Sequence, residues 1–519
     1  MRFSWSMHMK HIVTILVLCL SCVQFVSGQE RMKVEILNAD EGKLDPKISN
    51  AQRFLGNVKL KYNETIMTCD SAYRYPNGDF DAFSHVRINQ GDSLQLFGDF
   101  LSIDTQSRIA KLRDGIRMKD GDMTLTTEIL DYDFNTEIAS YFQGGKIVST
   151  ANQNVLTSES GFYDSRTEFF QFRKDVQLKN PEYRVDSDTL KYSNKGEIAF
   201  FHGPTTIRSD QNTIYCENGW YNTQTDICQF NENAWIQSKN TYMEGDSIYY
   251  NGHVGYGEVF RNVLIKDTTS NYLILGNYAR HDERLDVSLV TEKAQMIQLF
   301  DTDSLFLHAD TLLAVPDTLA KKRIKAFAHV KFFKPDLQGK CDSLEFSEAD
   351  SLLAMFGSPV IWSKQNQISG EQIEIELFQG KIEKIYINKS SLIVSEAIPQ
   401  KYNQIKGREL TGYFKENELH RIIIEGNGQL VYFPTEELEN GKTTVQGVNR
   451  ADCSDITVIV EDNEITQVSL LDKPSGALHP LSKAKPGDIL LDGFFWDQEQ
   501  RPLDRMSIFS WYSPQADTN

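Results

Sequence analysis

The sequence predicts an all-β chain, an elongated and repetitive antiparallel array with about 29 residues per repeat. Three observations predict it. A short pattern returns at a nearly constant step, each copy alternates apolar and polar residues, and turn signals separate the alternating runs. Period-two alternation marks a strand with one buried face. Constant self-similarity marks a repeat architecture before any single motif is weighed.

The repeat is plain in four copies. FLGNVKLKYNETIMTCDSAYRY, from Phe54, returns as FSHVRINQGDSLQLFGDFLSI from Phe83, as LRDGIRMKDGDMTLTTEILDY from Leu112 and as FRKDVQLKNPEYRVDSDTLKY from Phe172. Large apolar anchors stand at Phe54, Phe83, Leu112, Tyr141, Phe172, Phe201, Phe230 and Phe260, in steps of 29, 29, 29, 31, 29, 29 and 30 residues. Weaker copies begin near Val290, Phe327, Met355 and Ile385.

Within a unit, the first strand is the alternation of Val58-Lys59-Leu60-Lys61-Tyr62 or Val176-Gln177-Leu178-Lys179. A turn follows at Asn63-Glu64, Gly91-Asp92, Asp120-Gly121-Asp122 or Asn180-Pro181, residue types that accept tight backbone geometry. The second strand runs from Thr65 to Tyr75 in the first copy, and a second turn such as Pro76-Asn77-Gly78 or Asn194-Lys195-Gly196 closes the unit. Both turns are short enough for hairpins, so the strands are expected to pair antiparallel. No amphipathic helix is expected; PDTLAKKRIKA, from Pro316, reads as an insertion near 316–325 that widens one repeat.

Counting from each anchor gives a register. Position +13 is apolar (Met67, Leu96, Leu125, Val185, Ile214, Met243, Leu273) and +15 is often small (Cys69, Gly98, Thr127, Ser187, Cys216, Gly245). Position +16 is acidic (Asp70, Asp99, Glu128, Asp188, Glu217, Asp246, and Glu371 in a late copy), and +20 is tyrosine at Tyr132, Tyr192, Tyr221 and Tyr250. A calcium site needs several oxygens converging on one point, so one carboxylate per unit reads as a solvated outer face.

The ends differ. Arg2, Lys10 and His11 precede the apolar run IVTILVLCL, and small residues follow at Val26-Ser27-Gly28, the layout of a secretory signal peptide cleaved between Gly28 and Gln29. The apolar run is shorter than the ~20 residues of a membrane span. Residues 29–260 and 261–432 are expected to be the N- and C-terminal halves of the repeat array. From Phe433 the pattern decays, and 433–519 reads as a non-repeating cap or docking segment.

Composition limits function. The formal charge is −18, and loss of residues 1–28, with Arg2 and Lys10 and no acid, would make it more negative still. That argues against nucleic acid, whose phosphates need clustered Lys and Arg. Of seven cysteines, Cys69, Cys216, Cys228, Cys341 and Cys453 follow the signal segment; they are too scattered for a disulfide framework, though Cys216 and Cys228 could face each other across a hairpin. The chain contains no H-E-x-x-H, G-x-S-x-G or phosphate-loop motif. Gly252, Gly255 and Gly257 lie between strands and read as a turn. No enzyme activity, metal or cofactor is expected.

The F-x-G-N-V-x-L opening with the later C-D-S-A-x-Y, from Phe54 to Tyr75, resembles the periplasmic lipopolysaccharide-transport proteins of the Lpt/OstA type: the bridge protein and the N-terminal domain of the outer-membrane assembly protein. Gly245-Asp246-Ser247-Ile248-Tyr249-Tyr250 and Cys341-Asp342-Ser343-Leu344-Glu345-Phe346 echo it, and the likeness covers about 31 to 425. The resemblance implies a β-jellyroll whose two sheets splay into a V, with an apolar interior that carries lipopolysaccharide acyl chains across the periplasm. It implies partners too: lipopolysaccharide, β-jellyroll transport proteins joined by edge-strand pairing, and end-to-end self-association. The chain is longer than a single bridge unit and ends without the many alternating segments of ~10 residues that a membrane barrel would require. The groove positions expected are Val58, Leu60, Val86, Ile88, Ile116, Met118, Val176 and Leu178 on first strands, with Met67, Leu96, Leu125, Val185 and Ile214 on second strands. Closed sheets would make the same residues an ordinary core. The competing reading is a closed β-solenoid adhesin or polysaccharide-binding surface.

Overall fold

Alternating β-branched and polar residues flanked by Asn, Asp and Gly turns favour paired strands over helices, and strands make up nearly all of the computed structural model. It describes residues 33–511, apart from positions 64, 91–93, 152, 194, 211, 268–270, 301–302, 318–320, 348, 379–380, 416–417, 438–442 and 462–463. The expected signal segment and its Gly28–Gln29 cleavage point lie outside the described residues. The chain divides into two compact units between Glu168 and Phe169.

In the first unit, Ala51–Tyr62, Thr65–Arg74, Phe80–Gln90, Leu94–Asp104, Ile109–Asp120 and Met123–Asp133 each pair antiparallel with the next. Glu35–Asn38 and Glu41–Asp45 line the free side of Ala51–Tyr62. The second unit repeats the plan from Phe169–Lys179 onward, through Lys381–Ile398, Lys401–Lys415, Glu418–Tyr432 and Val448–Glu461, to Glu464–Leu471 and Ser475–His479. The ladder therefore continues past Phe433. The segment at Pro316 is the end of Thr311–Pro316, which pairs with Lys322–Lys334. All ladders among the described residues are antiparallel, unlike the parallel coils of a solenoid.

Nearly every long strand shifts register at its middle, as between Leu55 and Val58 or Phe327 and Val330. Residue pairs with positive φ mark the shift, among them Gly56-Asn57, Ser84-His85, Asp114-Gly115, Lys174-Asp175, Glu232-Asn233, Arg261-Asn262, Ala328-His329 and Lys389-Ser390. A bulge bends its strand, so this column is a corner: one half of each strand lies in one sheet and the other half in the facing sheet.

The acidic +16 residues hold these corners. Asp70 Oδ2 lies 2.7 Å from His85 Nδ1. Glu128 accepts from the Gly115 N–H at 3.2 Å, and Glu217 from Asn233 Nδ2 at 2.9 Å. Asp246 accepts from Arg261 Nε at 3.1 Å and Asn262 Nδ2 at 2.9 Å. Each carboxylate holds a bulge residue of a neighbouring strand, Glu128 through the main-chain N–H of Gly115 on the preceding strand and the others through side chains on the following one. The solvated outer row is thus also a structural clamp.

Small residues at +15 follow from the same corner. A Cβ on Gly276 would stand 2.6 Å from Val290 Cγ1, and one on Gly245 would overlap Val259. The sheets converge too closely there for a larger side chain. Two anchors are displaced by one residue: Ala82 pairs with Leu101 in the inward row while Phe83 pairs with Phe100 beside it. Val259, not Phe260, is the inward partner of Ile248. On the second strand of the last of these units Ile274, not Leu273, continues the apolar row beyond Met243 and Ile265.

Candidate functional site

Two inward rows run across each unit. In the second unit the corner-side row passes through Phe201, Phe230, Ile248, Val259, Val290, Leu312, Met355, Ile373 and Ile424, and all of these are buried. The mouth-side row lies in the facing sheet, one half-strand away. Its register links Leu178, Val185, Ile207, Ile214, Ile236, Met243, Ile265, Ile274 and Met296. It continues through Leu307, Phe332, Gly339, Ile361, Ile368, Ile393, Ile405, Leu430 and Ala451.

Exposure along this row is not uniform. From Ile207 to Met296 every member is half-buried, whereas from Leu307 to Ala451 every member is buried. The opposite wall explains part of the difference. Facing the half-buried stretch it carries Tyr221, Tyr250, Gly257, His281 and Ser288; further on it carries Ile324, Phe346, Leu353, Ile375 and Ile385. The wall opposite the half-buried stretch is mixed, two tyrosines beside Cys228, Gly257, His281 and Ser288, whereas the wall opposite the buried stretch is aliphatic and aromatic.

The first unit holds a short version of the row: Leu60, Met67, Ile88, Leu96, Met118, Leu125, Ile147 and Leu156. Between the two sheets lies an apolar cavity of about 80 Å³, lined on one side by Met67, Ile88, Leu96 and Met118 and on the other by Leu101, Ile103, Leu112 and Leu130. A dry cavity of about 150 Å³ accepts benzene, so this one has room for a few methylenes. Tyr62 bridges its rim. Its hydroxyl accepts from Arg108 Nη2 at 3.1 Å, and its ring meets Phe134 edge-on at 5.1 Å.

The positions expected from the repeat thus divide. Leu60, Met67, Ile88, Leu96, Met118 and Leu125 stand in the first unit's mouth-side row, and Leu178, Val185 and Ile214 in the second unit's. Val58, Val86, Ile116 and Val176 stand next to the corner, at most 2 % exposed. Met67, Ile88, Leu96 and Met118 meet around the cavity; Ile214 belongs to the half-buried stretch. Counting from the anchors missed Ile207, Ile236, Ile265, Ile274 and Met296. Their local signal is uneven: Ile236 and Met296 stand two residues after the buried alanines Ala234 and Ala294, whereas Ile274 stands two before Gly276.

Little in the groove titrates. Burial pushes the thiols of Cys216 and Cys228 up to about 12. Both are free, and they do not face each other: Cys216 stands opposite Thr205, and Cys228 opposite Tyr221. Burial and the Glu283 carboxylate raise the Tyr250 phenol to about 12; its hydroxyl donates to Glu283 at 3.0 Å. Among the described residues no His, Cys, Asp and Glu gather as a metal site. Along its described inward row the site offers apolar contact.

A second feature lies on the back of the mouth-side sheet. After His479 the chain forms a short helix, Pro486–Ile489, and a 3₁₀ turn, Ser507–Phe509, and lies across the sheet's outer face. Gln404 Nε2 donates to Ile489 O at 2.9 Å while its Oε1 accepts from the Leu491 N–H at 2.8 Å. Gln367 treats Phe495 O and the Asp497 N–H in the same way, both at 2.8 Å. Arg501 donates twice to Gln338 Oε1, at 2.9 and 2.7 Å. Leu491 packs with Val431, Phe433 and Val448, and Tyr402 meets Phe494 and Trp496 at 5.2 and 5.3 Å.

Residues 31–188 match the family of OstA-like proteins. No curated protein matches the chain. Among solved structures it is similar to LptH, the LptA-homologous periplasmic component of the lipopolysaccharide transport device of Pseudomonas aeruginosa, at 12% identity and a TM-score of 0.21, over 28% of this chain and 100% of that one.

Proposed function

Starting from the OstA-like character of residues 31–188, we propose that the protein is a non-enzymatic periplasmic lipid carrier. It binds lipopolysaccharide acyl chains between its two sheets and helps carry them to the outer membrane. The observation that supports this best is the mouth-side row of the second unit, in which every residue from Ile207 to Met296 is apolar and half-buried. An ordinary core hides such residues, because a half-buried Leu, Ile or Met forgoes part of the about 1.5–3 kcal/mol that full burial gives. A row left under-covered over seven positions suits a guest that completes the packing.

The regular spacing suits movement. Each buried acyl methylene gains about 0.8 kcal/mol, so one deep pocket would trap a multi-chain lipid, while equivalent neighbouring positions leave little difference between successive seats. Partners of the same fold would join at the outermost strands, Glu35–Asn38 and Ser475–His479, each of which pairs on one side only among the described ladders.

The test is co-purification. Full-length protein passed over vesicles that contain lipopolysaccharide should elute with phosphorylated, multi-acyl lipid in near-stoichiometric amount, and Met243→Asp should lower the yield with the fold intact. Lipid-free protein after such exposure, or retention by polysaccharide alone, refutes the reading.

A further inference from the structure

We propose that the C-terminal segment 481–511 is a strap that holds the last part of the groove shut. The stretch from Leu307 to Ala451 is then a second, latent acyl-chain site, available when the strap lifts. The inference rests on the reading that the half-buried stretch takes acyl chains. It is carried by two boundaries that coincide. The mouth-side row passes from half-buried at Met296 to buried at Leu307, and these two residues are direct partners on adjacent strands. The far end of the strap reaches the same place: the Phe509 ring lies 4.5 Å from His308, and the turn Ser507–Phe509 packs on Ser304–His308 and Lys322–Lys334.

The grip is on main chain. Gln338, Gln367 and Gln404 are buried, at 3, 0 and 0 % exposure, and stand in one outer row of the sheet, alternating with Trp362 and Val394. Gln367 and Gln404 each give a tail peptide both a donor and an acceptor, as a neighbouring strand would. Such a contact holds a segment by its backbone and resists sliding. Strand halves that swing outward at their corner bulges widen the groove one strand at a time. A segment tied at successive points from Ser304–His308 to Lys401–Lys415 opposes that displacement between neighbours. The splay that reaches Met296 accordingly stops where the strap begins.

The filled opposite wall, with Phe346, Leu353 and Ile375, is the competing cause of closure, and an experiment separates the two. A photo-reactive phenylalanine analogue is placed at Ile265, in the half-buried stretch, or at Ile393, under the strap, in the full chain. Each protein is exposed to vesicles containing radiolabelled lipid A, with the native strap or with Gln367→Leu and Gln404→Leu together. Hydrogen exchange at the Leu491 and Asp497 amides reports whether the strap has lifted. Leu491→Asp, which disturbs the strap from its own side, replaces the glutamine pair if that pair perturbs the sheet.

The expected result is labelling at Ile265 in every protein, with labelling at Ile393 at background in the native chain. Lifting the strap should raise the latter about tenfold or more, as for a site whose competent state changes from minor to major. Labelling at Ile393 that is already high in the native chain overturns the proposal. So does exchange that rises at Leu491 and Asp497 while Ile393 stays at background, which would assign closure to the filled wall. Absence of label at Ile265 throughout would instead overturn the acyl-chain reading, and the latent site with it.

Discussion

Lys331 is a cation with 1 % exposure, on the outer face of the sheet beneath the strap. Its Nζ donates to Ser510 O at 2.6 Å and Gln500 Oε1 at 3.0 Å and lies 5.1 Å from the Trp511 ring. Lys340 stands opposite it in register and is ion-paired with Asp497. Burial, reinforced by the charge on Lys340 and opposed by Asp497, lowers the Lys331 pKa to about 8 from 10.5. A lysine depressed in the docked state holds more protons when the strap is free, so docking strengthens as pH rises through that window and is level below it. A ¹⁹F label on Trp511 should therefore show the docked population growing between pH about 8 and 10. Lys331→Met, which keeps the stem, should flatten the dependence. A flat profile in the native chain would contradict this account. Lys331 was illegible in the sequence, where it reads as one more outward residue between Val330 and Phe332. The corner acids were half legible: their spacing marked a row, but their partners, such as His85 for Asp70, depend on a register shift that alternation does not reveal.

Paired substitutions test the strands. Ile405 is buried in the closed stretch of the mouth-side row, and Ile265 lies in the half-buried stretch of the same row. Ile405→Asp places an unpaired carboxylate in the core and should cost several kcal/mol, about 3 or more, by chemical denaturation. Ile265→Asp leaves its carboxylate partly wet and should cost less than about 1.5 kcal/mol while reducing lipid uptake. Equal costs would mean that the two stretches are equally closed. Strands, turns and the inward apolar parity were legible from Phe54 onward, because alternation and Asn, Asp and Gly turns are local signals. The half-strand shift between sheets was less so. Bulge pairs such as Gly56-Asn57 and Glu232-Asn233 carry Gly or Asn, which tolerate positive φ, but Ala328-His329 and Lys389-Ser390 carry nothing that sets them apart from ordinary strand residues. Which part of the row is half-buried depends partly on the opposite wall, where Gly257, His281 and Ser288 come together only through pairing.

At the scale of the whole chain, the outermost strands bear the prediction. Ser475–His479 pairs on one side with Val448–Glu461, and Leu478 is 61 % exposed. An edge of this kind accepts another strand. Ala477→Pro should abolish end-to-end association in light scattering while circular dichroism stays strand-dominated; association that persists would exclude this edge. The repeat array was legible from its period, whereas its extent was not, since the strands from Val448 to His479 keep the pairing after the 29-residue pattern has faded. The displaced anchors have a further consequence. At Phe83 and Phe260 the spacing slips by one residue, yet Ala82 and Val259 take the inward places and the rows continue. A miscount is absorbed within one hairpin and leaves the next untouched. A gene encoding such a chain tolerates small insertions and deletions, and can lengthen or shorten by whole hairpins, without relearning how to fold. The number of hairpins is thus a quantity that selection can adjust in single steps.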